Sequence, residues 1–149
     1  MRLAAKLASY RVDIVCGPLT GGALLAQMIA AELDVGFSFA ERIATDRPGM
    51  YPIDYRLPPA LRHAMSEKRV ALVDDAISAG SAVASALQDL ESCGATTVVL
   101  GALITIGERP AVMAREKMLP LERLVEVSQP IWAPDECPMC RAGASLTAI

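Results

Sequence analysis

Val70-Ala71-Leu72-Val73-Asp74-Asp75-Ala76-Ile77-Ser78-Ala79-Gly80-Ser81-Ala82 is the stretch on which the fold turns. Four consecutive apolar residues suit a strand covered on both faces, as in a parallel sheet. Two carboxylates stand where that strand is expected to end. Small residues follow, and from Val83 to Leu90 the apolar positions return at helical spacing. Strand, short small-residue loop and helix form one unit of an α/β domain. In such domains ligands bind beyond the carboxyl ends of the strands.

The alternation continues in both directions. Upstream, Met1 to Tyr10 reads as a short helix and Val12 to Cys16 as a short apolar strand. Gly17-Pro18-Leu19-Thr20-Gly21-Gly22 is expected to break that strand. Ala23 to Leu33 carries Leu24, Leu25, Met28, Ile29 and Leu33 at helical spacing. Gly36 to Ile43 and Met50 to Leu57 read as two extended arms joined by the turn chemistry of Asp46-Arg47-Pro48-Gly49. A short helix is expected from Pro58-Pro59 through Met65. Downstream, β-branched Thr97 to Ile106 reads as a strand, Pro110 to Met118 as a helix and Leu124 to Val127 as a last strand. The whole predicts one domain over residues 1–149, with a mainly parallel central sheet flanked by helices.

Both strand-end loops suit an anion. Small side chains at Ala76, Ser78, Ala79, Gly80, Ser81 and Ala82 let backbone N–H groups approach closely. The helix that follows adds unpaired N–H groups and the positive end of its dipole. Asp74 and Asp75 repel phosphate, but they accept hydrogen bonds from sugar hydroxyls or help hold Mg²⁺. Either aspartate alone reads as a solvated strand end; the complete run reads as a sugar-phosphate site. The loop at 17–22 is not a Walker A loop, since no Lys-Ser or Lys-Thr pair follows, and it is not a G-x-G-x-x-G fingerprint. Taken alone it reads equally well as a plain turn.

Val70 to Ala82 resembles the phosphoribosyl-pyrophosphate (PRPP) signature of type I phosphoribosyltransferases. The loop at 17–22 resembles that family's pyrophosphate loop, and the stretch Gly17 to Ala26 looks most like the orotate branch. The resemblance covers about residues 12 to 127. It implies that Asp74 and Asp75 bind the ribose hydroxyls and that Ser78, Ala79, Gly80, Ser81 and Ala82 wrap the 5′-phosphate. It further implies that Leu19, Thr20 and Gly21 contact Mg²⁺-pyrophosphate, with a strained or cis peptide in that loop. The arms around Asp46 to Gly49 become a flap over the reaction, bearing Arg42 and Arg47. Arg109 becomes a displaced match to the family's orotate-contacting arginine. Implied as well are Mg²⁺ carried mainly through PRPP, a nucleobase as second substrate, and a homodimer.

The sequence departs from that pattern in places. Ala82 lacks the hydroxyl often found there, Gly21 replaces a lysine of some members, and the flap has neither lysine nor histidine. The chain starts about ten residues before its first core strand, so a reduced N-terminal hood is expected. These departures sustain an alternative: a non-catalytic PRPP or nucleotide sensor on the same fold.

Composition bounds the rest. A formal charge of −3 over 149 residues argues against a nucleic-acid binder with a large basic face. The longest apolar stretches, such as Val98 to Ile106, fall well short of the ~20 residues a spanning helix needs. No signal peptide is read, and four scattered cysteines do not make a disulfide framework, so a cytoplasmic protein is expected. Cys137-Pro138-Met139-Cys140 is a single C-x-x-C. It reads as a knuckle-like turn with reduced thiols, with no metal ligands assigned; two copies of the chain brought together would make a Cys₄ set. His63 is expected at the surface, Trp132 as a packed anchor, and Tyr55 and Arg56 at the base of the flap.

Overall fold

The computed structural model describes residues 1–45, 53–129, 132 and 135–144. Six strands form one sheet: β1 (Ile14–Pro18), β2 (Gly36–Ala44), β3 (Ile53–Arg56), β4 (Arg69–Ile77), β5 (Thr96–Ile106) and β6 (Leu121–Val127). Their spatial order is β3-β2-β1-β4-β5-β6. All neighbours run parallel except β2 and β3, which pair antiparallel from Glu41↔Arg56 to Ala44↔Ile53. The helices are α1 (Arg2–Leu7), α2 (Gly21–Leu33), α3 (Pro59–Arg62), α4 (Ser81–Ser92), α5 (Arg109–Glu116) and α6 (Pro138–Arg141). Short 3₁₀ turns follow α1 at Ala8–Tyr10 and α3 at His63–Met65.

The central strands are apolar on both faces because each face has its own core. On one side, Leu3 and Leu7 of α1 and Leu25 and Ile29 of α2 pack on Val15, Val73 and Val99. On the other, Val83, Leu87 and Leu90 of α4 and Met113 of α5 pack on Ile14, Leu72 and Leu100. The chain therefore leaves β1 toward one face and one edge, and leaves β4 toward the other face and the opposite edge. Loops that diverge from adjacent parallel strands leave a crevice between them.

Several boundaries differ from the sequence expectation. Gly17 and Pro18 do not break the first strand; they complete it, opposite Phe39 and Ala40. Asp74 and Asp75 do not follow the fourth strand but lie within it. The strand runs on to Ile77 because β5 is long enough to pair Asp74, Ala76 and Ile77 with Ala102, Ile104 and Thr105. Helix α4 starts at Ser81, inside the expected loop, and α2 starts at Gly21. Met50 to Pro52 of the second arm, and the turn at 46–49, lie outside the described residues. His63 is exposed, as expected. Trp132 is 44% exposed and anchors no core.

Candidate active site in the crevice between β1 and β4

The crevice is built from the carboxyl ends of two neighbouring strands. Gly21 and Gly22 open α2 directly against β4: a Cβ at Gly21 would lie 2.4 Å from the Asp75 carboxylate, and one at Gly22 would lie 2.7 Å from Asp74 Oδ1. The first loop therefore touches both acids, and any side chain there would displace them. The Leu19–Thr20 peptide is cis, matching the peptide geometry expected of this loop. The Leu19 N–H donates to the Ala40 carbonyl at 2.9 Å, which fastens the loop to β2.

Asp74 is almost fully buried, and Asp75 is exposed. The Asp75 N–H donates to Asp74 Oδ1 at 3.0 Å. Burial, followed by a side-chain hydrogen bond with Asp75 and that neighbour's charge, pushes Asp74 up to about 7. Asp75 stands beside Gly21 at the opening of α2.

Beyond the acids lies a cleft of about 270 Å³ lined by Asp74 and by Ala76 through Val83. Gly80 turns the chain with φ +81°, a conformation that costs a side-chain-bearing residue about 1–2 kcal/mol. Gly80 is also the N-cap of α4 and offers no side chain to that helix's first-turn amides. Met113 of α5 packs against Gly80, its sulfur 2.9 Å from where a Gly80 Cβ would stand. Ser78 is half-buried and Ser81 exposed, so both hydroxyls stand at the rim. A carboxylate pair at one end and an uncapped 12-residue helix at the other match the two ends of a pentose phosphate.

The structure thus brings together Asp74, Asp75, Gly21, Ala76, Ser78, Ala79, Gly80, Ser81 and Ala82, with Leu19 and Thr20 on the adjoining loop. It does not bring Arg109 in. That side chain is exposed at the start of α5 and reaches along the helix to Glu116 at 3.7 Å. Arg42 is exposed on β2 opposite Tyr55 and is not among the residues that line the cleft. Arg47 lies outside the described residues. Among the described residues no three His, Cys, Asp or Glu side chains gather as a metal site, and no helix is long and apolar enough to cross a membrane.

A second polar cleft, of about 310 Å³, was not foreseen. It lies between α4 and β3 and is lined by Tyr55, Arg56, Arg62, Ser85, Asp89 and Ser92, among others. The Tyr55 N–H donates to Ser85 Oγ at 2.7 Å, and the Leu57 N–H to Asp89 Oδ2 at 2.7 Å. Arg62 Nη1 holds both Asp89 oxygens at 2.8 and 2.9 Å. These bonds fix the β3 arm to the helix that begins at the first cleft. The placing of Tyr55 and Arg56 at the base of the arms was legible; their partners on α4 were not, since a serine and an aspartate inside a helix carry no distinguishing spacing.

Comparison with known proteins places these features in a family. A model of the phosphoribosyl transferase domain matches residues 1–129. The orotate phosphoribosyltransferase of Thermotoga maritima is 28% identical over 144 residues, spanning 95% of this chain and 68% of the relative. That of Nitratiruptor sp. is 30% identical over 150 residues, spanning 93% and 69%. Among solved structures, the adenine phosphoribosyltransferase of Thermoanaerobacter pseudethanolicus superposes with a TM-score of 0.68 at 22% identity, covering 84% of this chain and 76% of that one. The orotate phosphoribosyltransferase of Aeropyrum pernix gives 0.62 at 23%, covering 84% and 70%. At these identities the solved structures speak for the fold.

Proposed function

The chain belongs to the phosphoribosyl transferase domain family, and from that premise we propose that it transfers the ribose 5-phosphate group of PRPP to a nucleobase, releasing pyrophosphate. The observation that carries the reading is the crevice itself, with the acids at one end and the uncapped N-terminus of α4 at the other. The curated orotate relatives favour orotate as the base. No particular observation favours the binding-only alternative.

The reaction breaks the C1′–pyrophosphate bond and forms a C1′–nitrogen bond. Positive charge develops on the ribose and negative charge on the leaving group. The protein supplies no nucleophile; it orients the ribose, neutralises the leaving group and keeps water out. Asp74 and Asp75 accept hydrogen bonds from the ribose hydroxyls. The amides of residues 78–82 bind the 5′-phosphate, and Leu19, Thr20 and Gly21 meet the pyrophosphate. Mg²⁺ fits this site as a guest of the substrate: two hard carboxylates stand beside the pyrophosphate loop, too few to cage the ion without oxygens from the diphosphate. When bound it offsets the charge of the departing pyrophosphate. The family resemblance assigns the protein's own cations for that task to Arg42, exposed on β2, and Arg47. Losing a well-placed donor of this kind lowers kcat by about 10²–10³-fold. We place the enzyme in the cytoplasm as a homodimer, following its resemblance to the family.

The ionised Asp74 accepts a stronger hydrogen bond from a ribose hydroxyl than the protonated acid does, so kcat/KM is expected to fall as pH drops below about 7. The decisive assay is pyrophosphate release from PRPP with Mg²⁺ and a panel of bases. Turnover with orotate above the other bases is the expected result. A folded protein that turns over no base overturns the enzyme reading.

A further inference from the structure

Cys137 and Cys140 take no part in the crevice, yet they are organised. Cys137 precedes α6 and Cys140 lies within it. The turn is closed by Arg141 N–H to the Cys137 carbonyl at 3.1 Å and Ala142 N–H to the Pro138 carbonyl at 3.0 Å. One such turn sets two side chains three residues apart on the same face, with Cα atoms about 5–6 Å apart, inside the window a disulfide accepts. Cys137 is half-buried and Cys140 exposed, so a small reagent can reach the pair.

The contacts divide the roles. Hydrogen bonding from the Cys140 backbone and side chain and the Met139 backbone favours the thiolate of Cys137 and holds it below the ordinary value, while hydrogen bonding to Cys137 and that neighbour's charge hold Cys140 above it. Cys16 is the internal control: fully buried, it is pushed up to about 12 by desolvation. A zinc site needs four ligands, and among the described residues no third side chain joins the two thiols. An intramolecular disulfide needs only the pair.

We propose that Cys137 and Cys140 form a thiol modification site, a dithiol that closes to an intramolecular disulfide by exchange with a small-molecule disulfide. The Cys137 thiolate attacks one sulfur of the reagent RSSR. The reagent's S–S bond breaks, a Cys137–SR mixed disulfide forms, and the departing RS⁻ takes up a proton. Cys140 then loses its proton and attacks Cys137 Sγ, the Cys137–SR bond breaks, and a second RSH leaves. The two protein thiols are oxidised and RSSR is reduced to two RSH.

The experiment equilibrates the full chain with glutathione buffers of graded oxidised-to-reduced ratio, then maps the cysteines by peptide mass spectrometry. The parent is expected to show a Cys137–Cys140 disulfide whose fraction follows the ratio reversibly, with Cys16 unmodified. C140S should accumulate a glutathione adduct on Cys137, and C137S should form one on Cys140 about tenfold more slowly. Neither substitution touches the crevice, so pyrophosphate release in the reduced state stays at the parent rate. Stable adducts on both cysteines without ring closure overturn the proposal. So do equal adduct rates in the two variants, disulfide cross-linked dimers as the main product, or zinc retained through purification that blocks exchange.

Discussion

A Cβ has no room at Gly17, at the end of β1, whereas the segment after β4 carries side chains at Ser78, Ala79 and Ser81. At Gly17 a Cβ would fall 2.2 Å from the Gly22 carbonyl oxygen and 2.8 Å from that of Val73. Both obstacles are backbone. In the second loop, Ala79 and Ser81 carry side chains at the surface, and Gly80 is required mainly by its φ of +81°. The first loop is fixed by close backbone approach to β4, so its shape is part of the sheet. The second is held by one left-handed residue and a helix start, and it keeps an open cleft above it. Under the proposed function, the tightly packed segment meets the diphosphate and the open one the monophosphate.

That contrast breaks most severely at Gly17. Gly17→Ala meets only backbone and is expected to lose about 3 kcal/mol or more, read as a lower urea midpoint at constant slope; parental stability would mean that the first loop is not packed as described. Asp74 gives the next largest effect, through pH. Its folded value of about 7 lies above its ordinary 3.8, so the folded protein keeps a proton that the unfolded chain has released. The associated stability is complete below about 3.8 and drains away as pH rises through 7. Asp74→Asn should therefore gain on the parent by roughly 2–4 kcal/mol between pH 4 and pH 8, as followed by denaturation at each pH. An unchanged difference across that range would show that Asp74 ionises normally.

Gly80→Ala sharpens the other half. The left-handed backbone and Met113 together should lower stability by about 1–2 kcal/mol, whereas Ala79→Ser nearby should stay within about 0.5 kcal/mol. Equal effects at the two positions would remove Gly80's special role. Gly21→Ala differs from Gly17→Ala because its obstacle is the Asp75 carboxylate, the end of a side chain that can swing away. Stability should hold, while the KM for PRPP should rise about tenfold, equivalent to about 1.4 kcal/mol. Smallest of all is Arg109→Ala. Its partner Glu116 is as exposed as it is, so thermal melts should move by less than about 0.5 kcal/mol.

The parts of the molecule legible in the sequence were those written in neighbouring residues. Val70 to Val73 announced a doubly covered strand, and the small residues after the acids announced the open turn that leads into α4. What escaped was set by partners distant in the chain. β4 continues through Asp74 and Asp75 because β5 offers it hydrogen bonds, and pairing overrides the poor strand preference of aspartate. Pro18 is accommodated at the very end of β1, and the N–H that carries the chain on to Ala40 belongs to Leu19. The bonds from Tyr55 N–H to Ser85 and from Leu57 N–H to Asp89 join residues about thirty positions apart, with no local trace. Arg109 was placed by motif order near the base, but its exposed helix start lets it pair with Glu116 instead.

The most direct measurement is a crystal structure of the protein soaked with ribose 5-phosphate. The phosphate should sit against the amides of residues 78–82, with the pentose hydroxyls on Asp74 and Asp75. A sugar phosphate bound elsewhere, or lying reversed with its hydroxyls toward α4, would contradict the account.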